Sequence, residues 1–308
     1  MGLLNVKGKG FEYSTCKTNC ERFEEILAAT STRAEPKCVQ LPGADADAWQ
    51  QERQVRLTAQ RILSDHLRKP DDNQQLTSHS ETRFWDQMSL DLTGATLIDF
   101  NLAHCMVTGD AWFSGATFSG NAVFDRATFT GRAWFGGANF SGSARFDEAT
   151  FTGSVVFELA TFSDSAWFGK AIFTGGAVFD EATFSGNARF GEATFAGVAR
   201  FGGANFSGSA MFNRATFSSG AVFDGATFSG SAVFDGATFS GGARFGGATF
   251  TGSAVFDGAT VDRGPDAFHF ADAHVHSPDA RHVWPRGWHL ESDTQGKPSI
   301  VRGADPVR

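Results

Sequence analysis

The sequence predicts an all-β fold, a parallel β-helix in which short strands wind into stacked four-sided coils. Three observations carry that expectation. Phenylalanine recurs at alternating intervals of five and six residues from Phe113 to Phe256, and this one register takes up 27 of the 33 phenylalanines. A small apolar residue, almost always alanine, stands two positions before each of them, and glycine recurs two positions after. Self-similarity at so short a fixed period is the mark of a solenoid.

Label the centre of a unit i. Apolar residues at i−2 and i, with mostly polar residues at i−1 and i+1, show the two-residue period of a strand whose alanine and phenylalanine point inward. Glycine at i+2 then marks a turn at every corner. Strands this short bury their apolar face only by stacking coil upon coil. Four sides of five residues make 20, and one residue added at every second corner, as at Asn121, Arg132, Ser143 and Ser154, makes 22. Identical positions should stack ~4.8 Å apart, so that about eight coils form a rod of ~35–40 Å. Its axis is filled by the ladder that begins Phe113, Phe118, Phe124, Phe129, Phe135 and Phe140. Each buried phenylalanine contributes roughly 1.5–3 kcal/mol. So full an interior should leave no channel and no ligand cavity.

The flanks follow in order. Residues 1–44 show no sustained period, and Pro36, Pro42 and Gly43 punctuate their end, so an irregular segment is expected there. Residues 45–83 read as an amphipathic helix and a polar linker. Trp49, Val55, Leu57, Ile62, Leu63 and Leu67 fall mostly on one face, and Lys69-Pro70-Asp71-Asp72 stops the helix. A solenoid needs covered ends, so this helix is expected to cap the first coil, with dimerisation as its alternative role. The β-helix itself spans 89–261. Leu92, Leu97, Leu102 and Val107 open it at five-residue steps, and Cys105 stands where later units have alanine, as a small packed hydrophobe. Residues 262–308 form an irregular C-terminal cap and tail. The register breaks at Arg263-Gly264-Pro265, Phe270 and Val275 suggest one imperfect coil, and Trp284 and Trp288 cover the last one.

These units resemble those of the pentapeptide-repeat family, whose unit is A(D/N)LxX and whose fold is a right-handed quadrilateral β-helix. Here phenylalanine replaces the central leucine, and Thr, Val, Arg or Trp replaces the Asp or Asn at i−1. The resemblance covers Ser89 to about Val261. It looks like the Phe-rich variety of actinobacterial proteins, and three flanking segments are similar to that group: Glu52 to Arg61, Leu90 to Phe100, and Val283-Trp284-Pro285-Arg286-Gly287-Trp288. Related chains often carry membrane helices upstream; here no run of about 18 apolar residues exists, so no membrane span is expected. Some members of the family resemble a DNA duplex and bind DNA gyrase. That activity enters as an alternative the resemblance implies.

Charge weighs on the alternatives. The chain carries a formal −8, with a pI near 5.5, which argues against direct nucleic-acid binding. From Asp110 to Gly258 there are 12 acidic and 8 basic residues, a net of 12 − 8 = 4 negative charges. A duplex with one charge per ~1.7 Å would carry ~20 over this rod, so DNA mimicry is a weak fit. No secretion signal is visible in the first residues, and the four cysteines read as reduced thiols of a cytoplasmic protein. Cys16, Cys20 and Cys38 lack a fourth zinc ligand at usable spacing. His269, His274, His276, His282 and His289, with Asp272 and Asp279, show no spacing of a known metal motif and read as a solvated loop.

Positions 22 apart share a face, which lays the outward residues in four columns. Two opposite columns carry Thr or Asn at i−1 and Ser or Thr at i+1, as at Thr117 and Ser119 or Thr128 and Thr130. Exposed strand propensity accounts for them; ice binding is the alternative, weakened by Ile172, Ala196 and Asn205. A third column reads Val123, Arg145, Trp167, Arg189, Met211, Val233, Val255. The fourth begins Trp112, Trp134, Val156, Val178, a contiguous apolar strip and the candidate contact site. Asp125, Asp147, Asp235 and Asp257 follow the repeat and are expected to form a solvated column. With no nucleophile–base pair, no phosphate-binding loop and no cofactor site, the expected function is a non-catalytic scaffold with a protein partner.

Overall fold

Two-residue strands cannot satisfy their own backbone groups, so each must find its partners one coil away. In the computed structural model, which describes residues 44–69, 84–262, 267–292 and 298–303, they do so in parallel ladders. The irregular segment over residues 1–43, the linker over 70–83 and the break at Arg263-Gly264-Pro265 lie outside the described residues. Ala144 pairs with Ala166, Arg145 with Trp167 and Thr150 with Ile172, each 22 residues on. The chain is a parallel β-solenoid of about eight turns with four sheets of nine, nine, seven and eight strands. We number the faces 1 to 4 round the coil, from Ala111–Trp112, Thr117–Ser119, Ala122–Val123 and Thr128–Phe129. Only the first coil is shorter: Leu90 pairs with Ala111, 21 residues on.

The phenylalanines form four files along the axis, and nearly all are fully buried. Within a file each ring stacks parallel on the next, Phe113 on Phe135 at 4.7 Å and 5°, Phe118 on Phe140 at 4.4 Å and 5°. Between files the rings meet edge to face, as Phe124 meets Phe135 at 5.6 Å and 84°. Both are the arrangements that the ring quadrupole favours, and the ~4.8 Å strand spacing falls within the centroid separation of offset-stacked rings, which holds them in every coil.

The corners are of two kinds, and this corrects the reading of every glycine as a turn former. After faces 1 and 3 the chain makes a β-turn, with the Ala116 N–H donating to the Phe113 carbonyl at 3.0 Å. Its third residue has positive φ, the signature of a type II turn. Glycine holds that place at Gly115 and Gly137, but Arg126, Glu148, Lys170, Glu192 and Arg214 hold it too, at φ of 55–58°. After faces 2 and 4 most of the glycines have ordinary φ and serve close approach instead: a Cβ on Gly131 would lie 2.4 Å from the Gly109 carbonyl oxygen of the preceding coil. The first kind of glycine is replaceable. The second is a contact between backbones.

The ends are closed by different means. The helix Ala44–Leu67 lays Ala59, Leu63 and Leu67 inward, and the last two join the solenoid core. Trp49 and Val55, expected on that face, are 60% and 36% exposed, because only the C-terminal half of the helix reaches the coil through buried side chains. Gln60 imitates a missing strand: its Nε2 donates to the Ile98 carbonyl at 2.7 Å, and the Ile98 N–H donates to its Oε1 at 2.9 Å. Ser64 donates to the Asn101 carbonyl at 2.6 Å. At the far end Phe268–His269 pairs with Ala243–Arg244 across 25 residues, so three extra residues enter before the last, imperfect coil. Trp284 lies edge-on to Phe250 and Phe270 and stacks on Phe256 at 27°. The cap is not irregular throughout: Trp288–Ser292 and Pro298–Arg302 form an antiparallel pair that buries Ile300.

Two alanine substitutions separate the glycine roles in chemical denaturation. Gly137→Ala, with open space around the added methyl, should cost about 1–2 kcal/mol, the left-handed backbone penalty. Gly131→Ala should cost more, since no flexible side chain can yield; equal losses would refute the distinction.

Candidate functional site

Strand pairing places the four expected contact residues in one file on face 1. Trp112 pairs with Trp134, Trp134 with Val156, and Val156 with Val178. The indole rings stack at 5.3 Å and 3°, and the four side chains are half-buried against one another. The opposite face offers a control. There Trp167 is covered by the Arg189 guanidinium, 4.0 Å above its ring, a cation–π contact whose buried Nε has no other partner. Further along face 1 the file turns polar: Arg200 pairs with Asp180 at 2.6 Å and Arg244 with Asp224 at 2.5 Å.

Leu159 stands at the corner beside this file, and the sequence reading passed over it. It is 58% exposed at φ 58°. Among the described residues eleven non-glycine positions have positive φ, and Leu159 is the one apolar side chain in that set. Left-handed backbone costs roughly 1–2 kcal/mol, and exposure returns none of it. The corner file to which it belongs reads Gly94, Gly115, Gly137, Leu159, Glu181, Gly203, so laying out corners as well as faces would have found it.

A family model for pentapeptide repeats matches residues 102–148, 135–183, 179–226 and 212–260, together more than half of the chain. The chain belongs to the pentapeptide-repeat family. No curated protein and no solved structure matches it. No described helix is long and apolar enough to cross a membrane.

In this pentapeptide-repeat solenoid the aspartate column is half-exposed or exposed, and it also does structural work that the sequence did not suggest. Asp257 is exposed, while Asp125, Asp147, Asp180, Asp224 and Asp235 each accept the backbone N–H of the residue one coil on. Where that residue is glycine the bond is short, 2.8 Å from Gly169 to Asp147, Gly202 to Asp180 and Gly246 to Asp224. Where it is another aspartate the bond lengthens to 3.2 Å, at Asp147 to Asp125 and Asp257 to Asp235. A Cβ in the receiving position crowds the carboxylate: at Gly169 it would lie 2.9 Å from the Asp147 oxygen. Desolvation raises the Asp147 carboxyl above its ordinary pKa, with Asp125 adding to the rise and the Gly169 N–H and Arg145 opposing it. The left-handed corner file beside it alternates in sign, with Arg126 bonded to Glu148 at 2.8 Å and Lys170 4.0 Å from Glu192. Arg126 holds the Glu148 carboxyl below its ordinary range.

The remaining candidates do not converge. Cys16, Cys20 and Cys38 lie outside the described residues. Cys105 is buried and free, its thiol pushed up to about 11 by burial, with Asp65 adding to this and Arg68 opposing it. Among the described residues no three His, Cys, Asp or Glu are arranged to hold a metal. His282 is instead a structural stand-in for the missing next coil: the Ala254 N–H donates to its Nδ1 at 3.2 Å, so its Nε2–H donates to the Ser277 carbonyl at 2.8 Å. A surface depression of about 330 Å³ is lined mainly by glycine, alanine and Val222, beside Arg244 and His269.

The Asp147 arrangement sets a pH test. Its folded pKa is raised, so its contribution to stability is greatest below the unfolded value and falls as pH rises through the folded value. Asp147→Asn keeps an acceptor for Gly169 and removes the charge. The variant should be more stable than the parent near pH 7, and the difference should vanish near pH 3, where an ordinary carboxyl is protonated. Asp147→Ala should lose about 1–2 kcal/mol at both, having no acceptor.

Proposed function

We propose that this pentapeptide-repeat protein is a non-catalytic scaffold, and that the face-1 file Trp112, Trp134, Val156 and Val178 is its contact for a protein partner. The single observation that carries the reading is Leu159. An exposed, strained leucine at the corner of the Val156 coil, next to the coil of Trp134, is costly to the isolated chain, and a partner surface would repay it. Rigid aromatic side chains on a flat, preordered sheet also lose little entropy on contact, which suits a binding face.

Other observations weigh against the alternatives. Asp125, Asp180 and Asp224 are engaged by Arg145, Arg200 and Arg244, which leaves few carboxylates to imitate a phosphate backbone toward gyrase. On the threonine-rich faces, Thr130 and Ser141 donate to the carbonyls of Thr108 and Phe118 in the preceding coil, at 2.7 and 3.0 Å, rather than presenting both hydroxyls to an ice lattice. The expected cytoplasmic setting is consistent with Cys105, a buried free thiol.

The test is affinity capture from the native host with parent and variant baits. Trp134→Glu should retain the fold and lose the captured protein, a loss of at least about 2 kcal/mol for a central aromatic contact. Leu159→Gly should weaken capture while raising the unfolding midpoint, because it removes backbone strain. Equal capture by parent and Trp134→Glu baits would reject this face as the contact.

A further inference from the structure

The order of residues on face 1 has a symmetry that binding to an unrelated protein would not require. From the first coil onward the outward residues are Asp91, Trp112, Trp134, Val156, Val178 and Arg200, held in strict register by strand pairing. The order is acid, large, large, small, small, base. Set against its own reverse, Asp91 falls opposite Arg200, Trp112 opposite Val178, and Trp134 opposite Val156. Each large residue meets a small one and the charges are complementary.

The corners obey the same rule. A two-fold axis parallel to the strands, between the coils of Trp134 and Val156, preserves strand direction, so each corner file faces itself in reverse. Leu159 then falls opposite Gly137, around whose Cβ position there is nothing within 4 Å. Glu181 falls opposite Gly115, which is equally open. Glu158 meets Gly136 and Asp180 meets Ser114, so no acid opposes an acid. Sliding by one coil destroys the match. One direction sets Trp134 against Trp134 and Asp91 against Val178; the other sets Trp112 against Arg200 and Asp91 against Val222.

Resting on the reading of face 1 as a contact surface, we infer that its partner is a second copy of this chain, packed face to face with the two rods antiparallel. Such an isologous contact is the commonest symmetry of soluble oligomers. Arg200 reaches Asp180 through Nε and one terminal nitrogen, at 2.7 and 2.6 Å, and its further N–H groups can meet a second carboxylate. Asp91 spends one oxygen on the Thr93 N–H at 3.0 Å and keeps the other. Six coils of ~4.8 Å by three strand residues of ~3.3 Å cover about 300 Å² on each copy. The total of about 600 Å² is under the roughly 1,200 Å² of stable complexes, so the dimer is weak and concentration-dependent.

Sedimentation velocity on the full chain, from about 1 µM to about 500 µM to span the weak range expected of such an area, tests this. The parent should pass from monomer to dimer. Trp134→Glu should remain monomeric. Asp91→Arg and Arg200→Asp should each weaken association about tenfold or more, and the double variant should regain most of it, because the swap restores both cross-pairs. Arg244→Asp, outside the overlap, should leave association unchanged. A monomer throughout, a dimer indifferent to Trp134→Glu, or a double variant no better than the singles would overturn the inference. If the chain stays monomeric while Trp134→Glu still loses a captured foreign protein, the self-pairing falls and the contact face stands. If Trp134→Glu changes neither measurement, both fall.

Discussion

In the regular coils of this solenoid each residue stacks on the residue 22 positions away, one strand spacing along the rod. A side chain is therefore acceptable only if it tolerates what stands in its own place in the next coil. Phenylalanine tolerates itself, since parallel rings stack at that distance, and so it fills all four inner files. Charged residues do so less readily: aspartate follows aspartate at Asp125 and Asp235, with bonds lengthened to 3.2 Å, and at other positions the sign alternates or glycine follows. Arg126 is followed by Glu148, then Lys170, then Glu192. Asp147, Asp180 and Asp224 are each followed by glycine, and the carboxylate turns to the backbone N–H that glycine leaves accessible. Even the backbone is subject to it, because at most corners after faces 2 and 4 a Cβ on the glycine would meet the backbone of the preceding coil, as at Gly131 and Gly153, while Asp164 and Ser219 stand in place of glycine.

The same constraint explains why both ends look unlike the middle. A terminal coil has a neighbour on one side only, and its ladder groups and ring faces need substitutes. Phe100 and Phe268 occupy inward positions that alanine holds elsewhere, each fully or nearly fully buried, adding ring volume where a stacked phenylalanine is missing. Gln60 and His282 supply side-chain groups to Ile98 and Ala254 in place of the next strand. Trp284 ends the ring files by meeting three phenylalanines at once. These are packing solutions to an interrupted period, and together they leave no open sheet edge at the points they cover.

What was legible in the sequence follows from this. The period, the coil length, the inward ladder and all four outward columns could be read, because self-neighbouring makes each a statement about positions 22 apart. The capping role of the helix was legible but its contact face was not. Trp49 and Val55 share the helical spacing of Leu63, and only the position of the coil decides which of them is covered. The C-terminal strand pair escaped because it is antiparallel and stands outside the repeat. The structural role of the aspartates was not legible because their partners are backbone groups, which leave no trace in composition. Leu159 is a corner residue, absent from the outward columns of the faces and legible only against the glycines of its own corner file.

Function in such a molecule has to be sought where self-neighbouring alone does not explain the residue. Trp167 and Arg189 are explained, since each covers the other. Thr on faces 2 and 4 is explained by strand preference, and the hydroxyls of Thr130, Ser141 and Ser219 turn to carbonyls of the coil before. Trp112 and Trp134 satisfy one another, yet Val156 and Val178 continue an apolar file that the rod does not need, and Leu159 adds strain that the rod would be better without. Asp91 and Arg200 then flank that apolar stretch, with ~24 Å of strand stacking between them, too far apart to pair within one chain. Brought against its own reverse, the same order places each of them opposite its complement. The symmetry thus accounts for residues that the stability of the solenoid leaves unaccounted for, and it does so with one register and no further assumption about the partner.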